Sequence, residues 1–144
     1  MIVSRRAFVA TAALAALPAR LLAAAPNASE LGLPGMTAIA DDIWVKQIDR
    51  RNWTFSTTGE IGRGVVYPAN GLVWLGPKGP VIVDPGWTAA QAEALIGWCI
   101  ARFKRKPVGV IVTHFHSDRA GGVPALETAG IPIYMTPLTR ALLA

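Results

Sequence analysis

The feature that most constrains the fold of this chain is the apolar run Val108-Gly109-Val110-Ile111-Val112, which leads directly into Thr113-His114-Phe115-His116-Ser117-Asp118. A short run of this kind reads as a buried strand. Its end delivers two imidazoles from alternate positions and a carboxylate to one edge of a sheet. Neutral imidazole and carboxylate form a donor set that suits zinc. The chain has only 2 histidines, and both stand in this motif. A pair of surface histidines beside a turn is the bland alternative. The neighbouring Asp118 and the Gly121-Gly122 pair that follows argue against it. His114, His116 and Asp118 are therefore read as metal ligands, and the glycines as a tight turn beside the site.

The segments around this strand alternate between strand and helix signals. Ile43–Ile48 reads as a strand. Asp49–Gly64 is polar and aromatic with glycines at its tip, as expected of a hairpin. Gly71–Leu75 and Val81–Asp84 read as strands around the turn Gly76-Pro77-Lys78-Gly79-Pro80. Thr88 and Gln91 form a capping box for the clearest helix. Ala92, Leu95, Ile96, Cys99 and Phe103 recur on one face of that helix, which makes Cys99 a core residue and not a zinc ligand. Pro124–Ala129 is read as a short helix and Ile131–Tyr134 as a strand. Thr136-Pro137 then caps a last helix. The order implies an α/β (α+β) arrangement with helices packed on a mixed β-sheet.

These residues resemble the metallo-β-lactamase superfamily, whose signature is His-x-His-x-Asp at the end of a core strand. Asn70-Gly71-Leu72-Val73, Val81-Ile82-Val83-Asp84, Trp87 before a helix, and Gly130-Ile131-Pro132-Ile133 match its framework in order and spacing. The resemblance runs from about Ile39 to the C-terminus. It implies an αβ/βα sandwich, of which this chain would be the N-terminal half. Arg119 follows the Asp, as in the zinc β-lactamases whose second site uses Asp, Cys and His, and this points to that subclass. A solvated surface charge is the other reading of Arg119.

The resemblance also implies chemistry. Two zinc ions per complete domain would act on a β-lactam, with a zinc-bound hydroxide attacking the lactam carbonyl. His114 and His116 would serve the first zinc. Asp118 would face the second and act as ligand and catalytic group. Asp84 and Arg119 would support these ligands from behind; for Asp84 a surface Asp-Pro turn is the alternative. Asp49–Gly64 falls where the family has a mobile loop over the substrate, so Trp53, Phe55 and Trp87 are substrate-loop candidates. Packing back on the sheet is the other reading for Trp53 and Phe55. The family's third first-site histidine, and its second-site cysteine and histidine, would lie beyond Ala144, leaving the site incomplete here and this chain on its own expected to be inactive. The alternatives are a thioester or lactone hydrolase on the same fold, or a non-catalytic truncated product.

Residues 1–25 read as an export signal. Ser4-Arg5-Arg6-Ala7-Phe8-Val9 resembles the twin-arginine pattern, and an apolar stretch from Ala7 to Leu17 leads to Ala23-Ala24-Ala25. That stretch is too short and Ala-rich to span a bilayer, and an uncleaved membrane anchor is the alternative reading. The expectation is recognition of Arg5 and Arg6 by the twin-arginine translocase, a periplasmic product, and no stable membrane insertion after cleavage. Residues 26–38 are read as a linker and 39–144 as the domain. At 144 residues the chain allows one domain with a real core. The leader holds three of the 14 basic residues and none of the acids, so the remainder is close to neutral and nucleic acid is not an expected partner. Arg102-Phe103-Lys104-Arg105-Lys106 is read as a solvated helix end favoured by the macrodipole. One cysteine permits no internal disulfide.

Overall fold

The structure, a computed structural model, describes residues 33–144. The export signal with Arg5 and Arg6, and most of the linker, lie outside the described residues. Seven strands form one mixed sheet in the order of the sequence, from β1 (Thr37–Ala40) through β2 (Ile43–Gln47), β3 (Asn52–Glu60), β4 (Val66–Gly76), β5 (Gly79–Val83) and β6 (Gly109–Ile111) to β7 (Ile133–Tyr134). The first five are antiparallel neighbours joined by tight turns. β6 and β7 add on in parallel. Parallel neighbours need crossovers. α1 (Ala89–Phe103) supplies the first, and α2 (Ser117–Ala120) with α3 (Val123–Thr128) supplies the second. α4 (Pro137–Leu143) follows the last strand.

The period-two alternation of strands decides which side chains meet the helices. Ile43 and Val45 of β2, Trp53 and Phe55 of β3, Val73 of β4, Ile82 of β5 and Val110 of β6 form the core with Leu95, Ile96 and Cys99 of α1 and Leu126 of α3. The Thr88 half of the capping box forms, while the return bond from Gln91 reaches one residue further back, to Trp87. Thr88 Oγ1 accepts the Gln91 N–H at 3.2 Å, and Gln91 Oε1 accepts the Trp87 N–H at 2.8 Å. On the opposite face, Leu72, Val83, Ile111 and Tyr134 line up across four strands.

The mixed sheet with flanking helices agrees with the expectation. Four local differences have physical causes. The expected hairpin forms, and within it Asn52–Glu60 is an unbroken nine-residue strand rather than the mobile loop the resemblance implied, because its β-branched and aromatic residues find partners on both sides. The turn is confined to residues 61–65, around Gly62 and Gly64, both at positive φ. β1 begins at Thr37, inside the span read as linker. α2 was not anticipated, since four residues are too few to show a helical period.

Candidate metal centre

Parallel register builds the site. Val83 pairs with Ile111, so the residues just past the two strand ends come side by side. Asp84 turns out of β5 with φ 59°, a left-handed conformation that aspartate tolerates. Its N–H reaches the Ile111 carbonyl at 2.9 Å, and its side chain is aimed at the loop leaving β6. Asp84 Oδ1 accepts the Thr113 N–H at 2.8 Å, and the Thr113 hydroxyl lies 3.0 and 2.9 Å from the two carboxylate oxygens. Thr113 Oγ1 is also 3.2 Å from His114 Nδ1. With the hydroxyl proton directed to Asp84, Oγ1 is left to accept from Nδ1–H. The neutral ring then keeps its lone pair on Nε2, the arrangement a metal-ligating imidazole requires.

His114, His116 and Asp118 come together, with one ligand atom from each lying within 4.8 Å of the others. The two imidazoles stand perpendicular with centroids 5.1 Å apart, and Phe115 lies against His116 at 4.4 Å. His116 is exposed, while His114 and Asp118 are partly covered. Two nitrogen donors and one oxygen donor at this spacing fit a zinc ion, which takes ligands at about 2.0–2.2 Å. No second group of three or more metal-ligating side chains occurs among the described residues.

Arg119 is not a free surface charge. Its Nη1 donates to the Asn70 carbonyl on β4 and lies 3.7 Å from Asp84 Oδ2. Its Nε is 3.1 Å from Asp118 Oδ2, close enough for strong attraction but not aligned as a hydrogen bond. One guanidinium thus lies between two carboxylates and the neighbouring strand, and it restrains Asp118 from the side away from His114.

Gly121 and Gly122 form the turn between α2 and α3 beside the site, as expected, and this turn is also the entry to α3. Their backbones are ordinary right-handed helical, so no positive φ requires glycine. Space requires it. A Cβ on Gly121 would stand 1.8 Å from the Trp87 carbonyl oxygen, and one on Gly122 would stand 2.7 Å from Ala92 Cβ. The pair lets the metal-bearing turn press against the segment between β5 and α1.

Trp53 and Phe55 pack back on the sheet, the other of the two readings given for them. Trp53 is 4% and Phe55 0% exposed, both on the helix-facing side of β3. Trp53 packs edge-on against Trp98 and Phe103 of α1, at the sheet edge away from the metal loop. Phe55 occupies the space that a side chain at Gly71 would need. Trp87 is partly covered and lies over Gly59, where an added Cβ would meet its ring at 2.3 Å. Strand alternation places Trp53 and Phe55 in packing, whereas Trp87 stays at the metal edge beside Gly121.

The contacts of Thr113 with Asp84, of the Asn70 carbonyl with Arg119, and of Gln91 with Asp42 and Thr58 were not legible from sequence. Gln91 is 1% exposed, and its Nε2 donates to Asp42 Oδ2 at 2.6 Å and to the Thr58 carbonyl at 2.8 Å. Register could have found Thr113; nothing local marks Asn70, which contributes only its carbonyl.

The family model described as the metallo-beta-lactamase superfamily matches residues 63–140, more than half of the chain. A metallo-beta-lactamase type 2 from Bacillus sp. (strain 170) is 36% identical over 100 residues, 69% of this chain and 38% of the relative. The protein of that name from Bacillus cereus is also 36% identical, over 69% of this chain and 39% of its own length. Among solved structures, a metallo beta lactamase from Erythrobacter litoralis superposes with a TM-score of 0.71 at 26% identity, over 75% of this chain and 47% of that one. This chain therefore spans less than half the length of the proteins it matches. The placement in the Asp-Cys-His subclass is corrected: the metal-ligating group found is His-His-Asp, and Cys99 is fully buried within the core. At the level of the family the sequence, the fold and the ligand cluster agree, and the chain belongs to the metallo-beta-lactamase superfamily.

Proposed function

We propose that the whole protein is a zinc-dependent hydrolase that opens β-lactams. The observation that carries this reading is the His114, His116 and Asp118 cluster, placed at a sheet edge with one ligand atom from each within 4.8 Å of the others. The names of the relatives support the substrate class. Zinc bound there would supply Lewis acidity and lower the pKa of bound water to roughly 7. His114 and His116 hold the metal, and Asp84 sets the His114 ring through Thr113. Asp118 serves as ligand and as the carboxylate that orients the attacking water. Arg119 keeps Asp118 in place. Attack at the lactam carbonyl breaks the C–N bond, and the proton from water passes to the departing nitrogen. A second zinc belongs to the same reading and would need donors beyond this cluster.

The test is nitrocefin turnover by the purified protein with zinc, after chelation, and after zinc is restored. Zinc-dependent ring opening is expected. Turnover of thioesters or lactones with none of nitrocefin would assign the site to another hydrolase of the fold. Export to the periplasm through the twin-arginine translocase is part of the proposal and rests on Arg5 and Arg6. Arg5→Lys with Arg6→Lys should retain the protein in the cytoplasm, and unchanged delivery would contradict that route.

A further inference from the structure

The strand directions send the connections of this fold to two opposite edges of the sheet. The metal loop, the segment Asp84–Thr88 and the β3–β4 turn share one edge. The β2–β3 turn, the β4–β5 turn and the α1–β6 connection share the other, because β4 runs against β3 and β5 while β6 runs with β5. Contacts tie this far edge together. Leu75 N–H meets the Arg51 carbonyl at 2.7 Å, and Val108 N–H meets the Pro80 carbonyl at 2.8 Å.

Charge is sorted between the two edges. The β2–β3 turn carries Arg50 and Arg51, and the β4–β5 turn carries Lys78. The last turn and exit of α1 add Arg102, Lys104, Arg105 and Lys106. All of these are exposed, and none is in an ion pair among the described residues. These three connections contain a single acid, Asp49, whose carboxylate is occupied by the N–H groups of Arg51 and Asn52 at 2.7 and 2.9 Å. The acids Asp41, Asp42, Glu60, Asp84 and Asp118 lie toward the metal edge instead.

Apolar side chains stand among the cations. Ile48, beside the two arginines, is 61% exposed, and Val108, at the α1–β6 connection, is 40% exposed. We propose that this edge docks on an anionic lipid surface, with the cations among the headgroups, Ile48 in the interface, and the metal edge facing the aqueous phase. Each cation near such a surface raises partitioning by about fivefold, and salt weakens the effect. The exposed Ile48 and Val108 favour lipid over nucleic acid. A phosphate backbone offers them nothing to bury against, while an interface buries apolar surface alongside the electrostatic attraction.

The experiment is co-sedimentation of the full chain with vesicles of phosphatidylcholine alone or mixed with phosphatidylglycerol, at low and high salt. Arg50→Gln with Arg105→Gln is compared with Arg63→Gln with Arg140→Gln, a pair of equal charge change outside this edge. The leader is common to both, and circular dichroism checks folding. Binding is expected only to the anionic vesicles. It should fall roughly 20-fold in the first pair and stay within about threefold in the second. Ile48→Ser should weaken binding at every salt concentration. Equal loss in both pairs, retention by the first pair, or tighter binding to a DNA duplex than to the anionic vesicles would each overturn the proposal.

Discussion

The Asp84 carboxylate accepts both donors of Thr113, the backbone N–H at 2.8 Å and the hydroxyl at 2.9 Å, and so holds the residue that precedes the first histidine. Asp84 is 7% exposed, which makes this a charge-assisted contact largely out of water. Asp84→Ala should cost on the order of 2–4 kcal/mol in urea denaturation, because the Thr113 donors are left without a partner. Thr113→Val removes only the hydroxyl and should cost about 1 kcal/mol. It should also weaken zinc binding by roughly tenfold, since the His114 tautomer is no longer set. Unchanged zinc affinity in Thr113→Val would remove Thr113 from this role.

Two glycines at helical positions should respond in opposite directions to alanine. At Gly97, on the exposed side of α1, an added Cβ meets nothing within 4 Å, so Gly97→Ala should stabilise by about 0.5–1 kcal/mol. At Gly121 the added Cβ would stand 1.8 Å from the Trp87 backbone oxygen, which cannot yield without moving the chain. Gly121→Ala should destabilise by about 1–3 kcal/mol or more. Melting temperatures of the two variants, measured side by side, check the pair.

Burial pushes the Cys99 thiol up to about 12. The folded protein should therefore resist thiol reagents near pH 8 and react only on unfolding. The neutral thiol is favoured in the fold, so its contribution to stability is complete below its ordinary value of 9.0 and declines as pH rises toward 12. Cys99→Ser places a hydroxyl in the same apolar setting and should cost on the order of 1–3 kcal/mol. Zinc content should not change. A serine variant with full stability but lowered zinc content would place this side chain at the metal site instead.

Gln91 joins three segments that sequence separates widely, namely Asp42, Thr58 and Trp87. Gln91→Leu keeps the volume roughly constant but leaves the Thr58 carbonyl and the Trp87 N–H unpaired. The expected loss is on the order of 3 kcal/mol. A loss under about 0.5 kcal/mol would mean that water replaces the amide at little cost.

The sequence made the metal motif, the capped helix and the mixed sheet legible because each is written in contiguous residues. His114, His116 and Asp118 lie on one short turn, and Thr88 with Gln91 lies on one helix start. Trp53 and Phe55 were ambiguous because glycines and polar residues beside them imitate a loop, and only pairing with β2 and β4 turns them toward the core. Thr113, Asn70 and the far partners of Gln91 act across segments, where register decides contact. Gly121-Gly122 was noticed, but its reason was hidden: the conformation is unremarkable, and the constraint is the Trp87 backbone pressed against it.

Zinc titration of the folded chain followed by equilibrium dialysis tests the central claim most directly. One zinc per chain is expected for the parent, because three protein donors suffice for a catalytic-type site. His114→Ala with His116→Ala should abolish that binding while circular dichroism remains unchanged. Stoichiometric zinc retained by the double variant, or none bound by the folded parent, would contradict the metal centre assigned to His114, His116 and Asp118.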